Sequence, residues 1–400
     1  MTQAYLSDHV SVAPRYQRSI RIDADFGQAD PLSGYVLQGS ARDALTTTLR
    51  LATNGQGAFT WTGPYGGGKS SLALALASYS LGRGPAFKEA KQLLCDVPEV
   101  TAVFGRAPKD WLCVPLSGRR GDPVADLREA LASAIAGEPG HARTKRSKME
   151  AADGRDIVER LQREVEARPK GGVLVIVDEL GKYLEGAADH AIDIHFFQDL
   201  AEAANRSEGR LIVVGVLHQA FERYADRLGQ SVQDEWRKVQ GRFADVPIIT
   251  AVDEVIELIG RAVTTERSHP QSHPIAAIVA SEIAERRPGV PKDLAGRLDD
   301  CWPLNPAAAA LLGPITRRRF SQNERSLFGF LASAEPNGFT EFLQRTTLAS
   351  GKTFGPAELW DYLQVNLEPA IMASPDGHRW AQAAEAIARA GRDGNGLRLQ

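Results

Sequence analysis

The stretch Gly63-Pro64-Tyr65-Gly66-Gly67-Gly68-Lys69-Ser70 constrains this chain most, because it fits G-x-x-x-x-G-K-[ST] between a strand pattern and a helix pattern. Ala58-Phe59-Thr60-Trp61-Thr62 reads as a short buried strand, and Leu72, Ala75, Leu76 and Tyr79 recur at helical spacing on one face. Strand, glycine loop and helix in that order form a phosphate-binding loop. Glycines 66 to 68 carry no Cβ, so the backbone N–H groups can turn inward and approach a phosphate closely. The helix that follows adds the partial positive charge of its N-terminus. In this arrangement Gly63 to Ser71 cradle the nucleotide, Lys69 bridges the β- and γ-phosphates, and the Ser70 hydroxyl coordinates Mg²⁺. A glycine-rich turn that binds nothing would not need the strand and helix on either side.

A second motif matches the first. Gly172-Val173-Leu174-Val175-Ile176-Val177 is an apolar run rich in β-branched residues, as expected of a central parallel strand covered on both faces, and it ends in Asp178-Glu179. Charged residues at the carboxyl end of such a strand lie on the ligand-binding edge of the sheet. This is a Walker B pattern, in which Asp178 holds Mg²⁺ and Glu179 orients or deprotonates an attacking water. The plainer alternative is an acidic strand end that caps the next helix.

Four hundred residues, 43% hydrophobic and 24% charged, suffice for two or three packed domains. A net charge of −3 argues against a wholly basic nucleic-acid coat protein. Cys95, Cys113 and Cys301 are far apart and form no C-x-x-C pair, so neither a zinc site nor a disulfide framework is indicated and a reducing cytoplasm is the expected setting. The N-terminus has no basic segment followed by an apolar core, and no apolar run reaches about 18 residues, so neither secretion nor membrane insertion is expected.

Residues 1–35 read as an irregular arm, followed by a helix over about 41–52 that leads to the loop strand. A Gly-Arg-Gly-Pro break at 82–85 precedes a strand over 111–116 and a helix over about 124–136. His141 to Lys148 is a short basic run read as a solvated loop. Helices over about 155–167 and 194–204 flank the Walker B strand. A strand over 210–217 ends in His218-Gln219, and a last strand is expected over 246–249. Five strands alternating with helices predict a covered, mostly parallel sheet. The expected domains are an ATPase core over 36–252, a helical lid over 253–350 and a helical or winged-helix-like unit over 351–400. The last residues close no element, which reads as the front part of a longer protein.

Gly63–Ser71, Val177–Glu185 and Leu217–Glu222, with Glu235–Phe243 and Asn323–Leu331, together resemble the large AAA+-type ATPases of bacterial antiphage defence, phage-exclusion (BREX-type) systems among them. The resemblance spans about residues 35–365. It implies an α/β P-loop NTPase of the AAA+/ASCE kind with strand order 5-1-4-3-2 and a helical lid. It further implies ATP and Mg²⁺ as cofactors, a homo-oligomer, other defence proteins as partners, and DNA as a candidate ligand. A γ-phosphate sensor would be His218 or Gln219, where Asn or Thr is more usual. The arginine finger acting on a neighbouring subunit would be Arg242 or Arg237, stabilising charge on the transferred phosphoryl group. A lid arginine would come from Arg317, Arg318, Arg319 or Arg325. Other function classes compatible with the loop are a nucleotide-gated signalling switch with little turnover, a helicase or translocase, and a small-molecule kinase.

Overall fold

The computed structural model describes residues 4–14, 20–64, 66–106, 108, 110–137, 154–188, 194–224, 230–265, 274–287, 289–317, 327–375 and 377–392. The strands among them are β1 (Val10–Val12), β2 (Ala58–Thr62), β3 (Trp111–Ser117), β4 (Gly172–Asp178), β5 (Leu211–Leu217), β6 (Ala244–Pro247) and β7 (Val263–Thr265). Two compact units divide the chain, one of residues 20–249 and one that joins 1–19 to 250–400.

The 20–249 unit is built on a five-stranded sheet ordered β3-β4-β5-β2-β6, in which every pairing is parallel. Counted from the loop-bearing strand this is 5-1-4-3-2, and with the glycine loop it makes the unit an α/β P-loop NTPase fold. Side-chain alternation divides the sheet between two cores. On one face Leu112, Val114, Val173, Val175, Val177, Leu211 and Val213 share a cluster. On the other Cys113, Leu174, Ile176, Ile212, Val214, Val216, Phe59 and Trp61 do so. Both faces are therefore apolar, which is why β4 and β5 are continuous hydrophobic runs, buried at all seven positions.

The helices of this unit are α1 (Ile22–Asp25), α2 (Gly39–Thr53), α3 (Lys69–Ser80), α4 (Gly84–Leu93), α5 (Pro98–Phe104), α6 (Pro123–Ala136), α7 (Gly154–Glu166), α8 (Leu180–Ala188), α9 (His195–Asn205) and α10 (Gln230–Gln240). Helices α1 to α5 contribute to the second cluster and α6 to α10 to the first. The sequence reading missed α4 and α5. Pro85 reads in sequence as part of a break, but it and Pro98 each lie in the first turn of a helix, where proline's missing N–H costs nothing. The last strand begins two residues earlier than expected, because its register against β2 pairs Phe59 with Ala244 and Thr62 with Pro247. Pro247 is tolerated because β6 is an edge strand.

In the second unit β1 pairs antiparallel with β7. Its helices are α11 (Val252–Ala262), α12 (Ala276–Arg286), α13 (Leu294–Asp299), α14 (Pro306–Arg317), α15 (Leu327–Ala332), α16 (Phe339–Arg345), α17 (Pro356–Met372) and α18 (Gly377–Arg392). Leu6, Val10 and Val12 pack in one cluster with Ile256, Ile259, Phe330, Phe339, Phe354, Leu359 and Tyr362. This grouping differs from the expected boundaries in two places. The 253–350 and 351–400 segments share one core, since Phe354 sits among Phe330, Phe339 and Phe342 with ring centroids 5.4–6.0 Å away. The 1–35 arm is divided, its first part joining this core while Ile22 is fully buried in the other unit.

Candidate functional site

The loop strand β2 lies between β5 and β6, whereas the next strand in the chain, β3, is at the far edge. That change in direction opens a crevice at the carboxyl ends of the strands. Gly63 follows β2 directly, and its N–H donates to the Leu217 carbonyl at the end of β5 at 3.2 Å. A Cβ at Gly63 would stand 2.1 Å from the Ile248 carbonyl oxygen, so only glycine fits between the two neighbouring strands. Gly68 has φ +73°, a left-handed turn that starts helix α3 at Lys69. Pro64, Gly66, Gly67 and Ser71 lie along the same turn; Tyr65 is outside the described residues.

Lys69 is 3% exposed, and its Nζ donates to the carbonyls of Gly63 at 2.7 Å and Pro64 at 2.6 Å. The ammonium is thus curled over the loop where phosphate oxygens would replace those carbonyls. Ser70 Oγ donates to Asp178 Oδ1 at 3.0 Å, joining residues 108 positions apart. The same carboxylate oxygen accepts the Glu179 N–H at 3.1 Å. These two hard oxygens, one hydroxyl and one carboxylate, suit Mg²⁺. Burial pushes the Asp178 carboxyl up to about 6; the nearby Glu179 charge adds to this, while the Ser70 hydrogen bond and Lys69 oppose it. A carboxylate so poor in compensating charge is one that a divalent cation would satisfy.

The raised value has a definite sign in stability. Its ordinary value is 3.8, so the favourable contribution of the protonated folded form is complete below about pH 4 and disappears as pH rises through about 6. In the absence of divalent cations the wild type is expected to lose up to about 3 kcal/mol of stability from this group between pH 4 and pH 7. Asp178→Asn should flatten that part of the profile. Urea unfolding in chelator across this range checks it, and parallel wild-type and variant profiles would refute the assignment.

Glu179 follows Asp178 with φ +55°, a left-handed conformation uncommon for a residue with a Cβ and costing about 1–2 kcal/mol. It turns the chain sharply from β4 into α8. The Glu179 carboxylate forms an ion pair with Lys182 Nζ, one helical turn on. His218 and Gln219 are half-buried immediately after β5, next to Gly63 at the carboxyl edge.

The arginine candidates lie elsewhere. Arg242 precedes β6 at the opposite, amino-terminal edge of the sheet; its Nε is 3.3 Å from Glu202, and its carbonyl accepts Asn205 Nδ2 at 2.9 Å. Arg237 on α10 pairs with Asp234 at 2.7 Å. Neither is brought to the P-loop of its own chain. Arg317 ends α14, and Arg318, Arg319 and Arg325 lie outside the described residues, as does the basic run 141–148.

Four neighbours of the site, Tyr35, Asp23, Arg21 and Lys182, carried no signal in the sequence. Tyr35 stands against the loop, its Cε2 3.4 Å from where a Cβ on Gly68 would be. Helix α1 packs on β3 and α3, and Asp23 Oδ1 accepts Ser117 Oγ at 3.0 Å; Ser117 is the register partner of Asp178. Arg21 pairs with Asp23 at 2.7 Å, and that hydrogen bond raises the guanidinium further above its usual range, with the Glu179 charge among the smaller contributors. A four-residue helix has no periodicity to read, and Lys182 looks in sequence like any solvent-facing helical lysine.

No helix among the described residues is long and apolar enough to cross a membrane. No protein-family model matches the chain, and no curated protein matches it in sequence. Among solved structures the chain is distantly similar to the Aeropyrum pernix ORC2 protein in its ADPNP–ADP complexes. The two are 14% identical, 68% of this chain and 71% of that chain are covered, and the TM-score is 0.39.

Proposed function

We propose that this chain is a Mg²⁺-dependent, AAA+-type ATPase that couples ATP turnover to conformational change or assembly. The observation that carries the reading is the meeting of Lys69, the Ser70–Asp178 pair and Glu179 at one edge of a parallel sheet. ATP phosphates lie over the N–H groups of the glycine loop, and the Lys69 ammonium leaves the Gly63 and Pro64 carbonyls to bridge the β- and γ-phosphates. Ser70 and Asp178 would hold Mg²⁺, which would supply positive charge against the phosphate oxygens. Glu179 orients the attacking water and accepts its proton. His218 or Gln219, which follows the end of β5 beside Gly63, is the candidate to sense the terminal phosphate. Arg242 or Arg237, paired with Glu202 and Asp234 respectively, is the candidate to reach the nucleotide of a second copy in a homo-oligomer. The setting that accords with the sequence motifs is cytoplasmic antiphage defence, with companion defence proteins and DNA as partners.

The test is phosphate release from Mg·ATP by wild type and Glu179→Gln, with and without duplex DNA, while particle mass is followed by light scattering. Turnover that falls by about 10²-fold or more in Glu179→Gln is expected, with a larger ATP-bound particle. Equal release from both proteins would remove the hydrolytic reading. A second reading, a nucleotide-gated switch with rare turnover, is favoured by the ion pair that occupies Glu179. ATP-bound assembly without phosphate release would select it.

A further inference from the structure

Glu179 meets a cation of its own chain at the point where the proposed reaction needs a free carboxylate. The left-handed backbone at φ +55° turns the residue out of β4, and the first turn of α8 closes with the Lys182 N–H donating to the Glu179 carbonyl at 3.0 Å. That turn brings the Lys182 ammonium onto the Glu179 carboxylate. Arg21, whose guanidinium also feels the Glu179 charge, is directed to Asp23, which is itself tied to Ser117. Lys182 is therefore the side chain that holds the carboxylate toward α8. The Asp178 carboxylate instead accepts hydrogen bonds from Ser70 and from the Glu179 N–H. The two acidic groups, adjacent in sequence, are thus held by different elements. Asp178 is bound to the loop helix, Glu179 to its own helix.

We infer that Lys182 is a positioning residue that restrains Glu179, drawing its carboxylate onto helix α8 so that turnover waits until the carboxylate leaves the lysine for the attacking water. This rests on the proposed ATP hydrolysis and adds its rate control. The restraint suits a switch because it is weak. Both side chains are substantially exposed, 47% for Lys182 and 33% for Glu179, and a pair of that kind adds little to the stability of the fold. Its effect lies in where the carboxylate points, and Lys182 can be replaced without disturbing the core, since Tyr183 and Leu184 beside it supply the buried contacts of α8.

Wild type, Lys182→Gln, Lys182→Arg and Glu179→Gln are compared for steady-state phosphate release, for affinity toward a fluorescent ATP analogue, and for the rate at which the Lys182 amine reacts with an acylating reagent, followed by mass spectrometry. Lys182→Gln is expected to raise kcat about two- to fivefold, the size of effect that an exposed ion pair can exert as a ground-state restraint on the barrier, with nucleotide affinity unchanged within about twofold. Lys182→Arg should return to the wild-type rate, because it restores the cation. In nucleotide-free protein Lys182 should react several-fold faster in Glu179→Gln than in wild type. A kcat in Lys182→Gln equal to or below wild type, with wild type itself active, overturns the restraint and leaves the ATPase reading standing. Equal Lys182 labelling in wild type and Glu179→Gln overturns it independently of turnover. Absence of turnover in every protein, with nucleotide still bound, overturns both.

Discussion

Lys69→Ala is expected to lower kcat/KM for ATP by at least about 10²–10³-fold while leaving the fold in place. The lysine is 3% exposed, and its ammonium donates to the loop carbonyls of Gly63 and Pro64 and interacts electrostatically with Asp178. A buried positive charge facing neutral carbonyls is favourable only modestly; facing phosphate oxygens it gains charge-assisted hydrogen bonds, which are about twice as strong as neutral ones. The methylene stem enters a site that glycine backbone and helix α3 already shape, so truncation removes the phosphate contact without opening the sheet core. Calorimetric titration of Mg·ATP together with phosphate release checks both halves. Wild-type affinity and turnover in Lys69→Ala would refute the assigned role, whereas loss of cooperative unfolding would show that the residue is needed for the fold.

The second large effect belongs to the core beneath the loop. Trp61 is fully buried on β2, two residues before Gly63, and its indole N–H donates to Thr48 Oγ1 of α2 at 2.9 Å. Trp61→Ala removes the ring, leaves a cavity between sheet and helix, and deprives the Thr48 hydroxyl of a donor; together these should cost about 3–5 kcal/mol. Phe354→Ala in the other unit should cost a similar amount, because the ring is fully buried among Phe330, Phe339 and Phe342. Urea unfolding gives the magnitudes, and hydrogen exchange read by peptide gives the location. Trp61→Ala should lose protection first in β2 and β5, and Phe354→Ala in residues 250–372. A shift below about 1 kcal/mol in either would mean that the site collapses around the missing ring.

The elements that could be read from the chain are those whose evidence is local. The stretch Gly172–Asp178 announces a two-sided strand because both faces of a parallel sheet must be apolar, and the structure pairs it on both sides. The glycine loop is legible because glycine favours the left-handed turn of Gly68 and alone fits the close approach at Gly63. Helix α4 was hidden by a proline that suits a first turn as well as it suits a break. The expectation of a separate 351–400 unit came from the helical stretch Pro356–Leu363 after Thr353, but a local helix pattern does not say which surfaces pack together, and Phe354 joins a core that also contains Leu6.

The residue types, their spacing and the burial they demand were sufficient to establish a P-loop, a Walker B strand end and a covered parallel sheet, since each follows from contacts within a few residues or from a repeating pattern. Folding alone decided that Ser70 meets Asp178 across 108 positions, that Ile22 anchors Arg21 and Asp23 beside β3, that residues 1–19 pack with 250–400, and that Lys182 takes hold of Glu179. Those pairings depend on which distant segments share a core and on a single left-handed residue that aims one side chain. Neither leaves a periodic trace in the order of amino acids, because the free energy that selects them resides in contacts between surfaces formed only after the elements have packed.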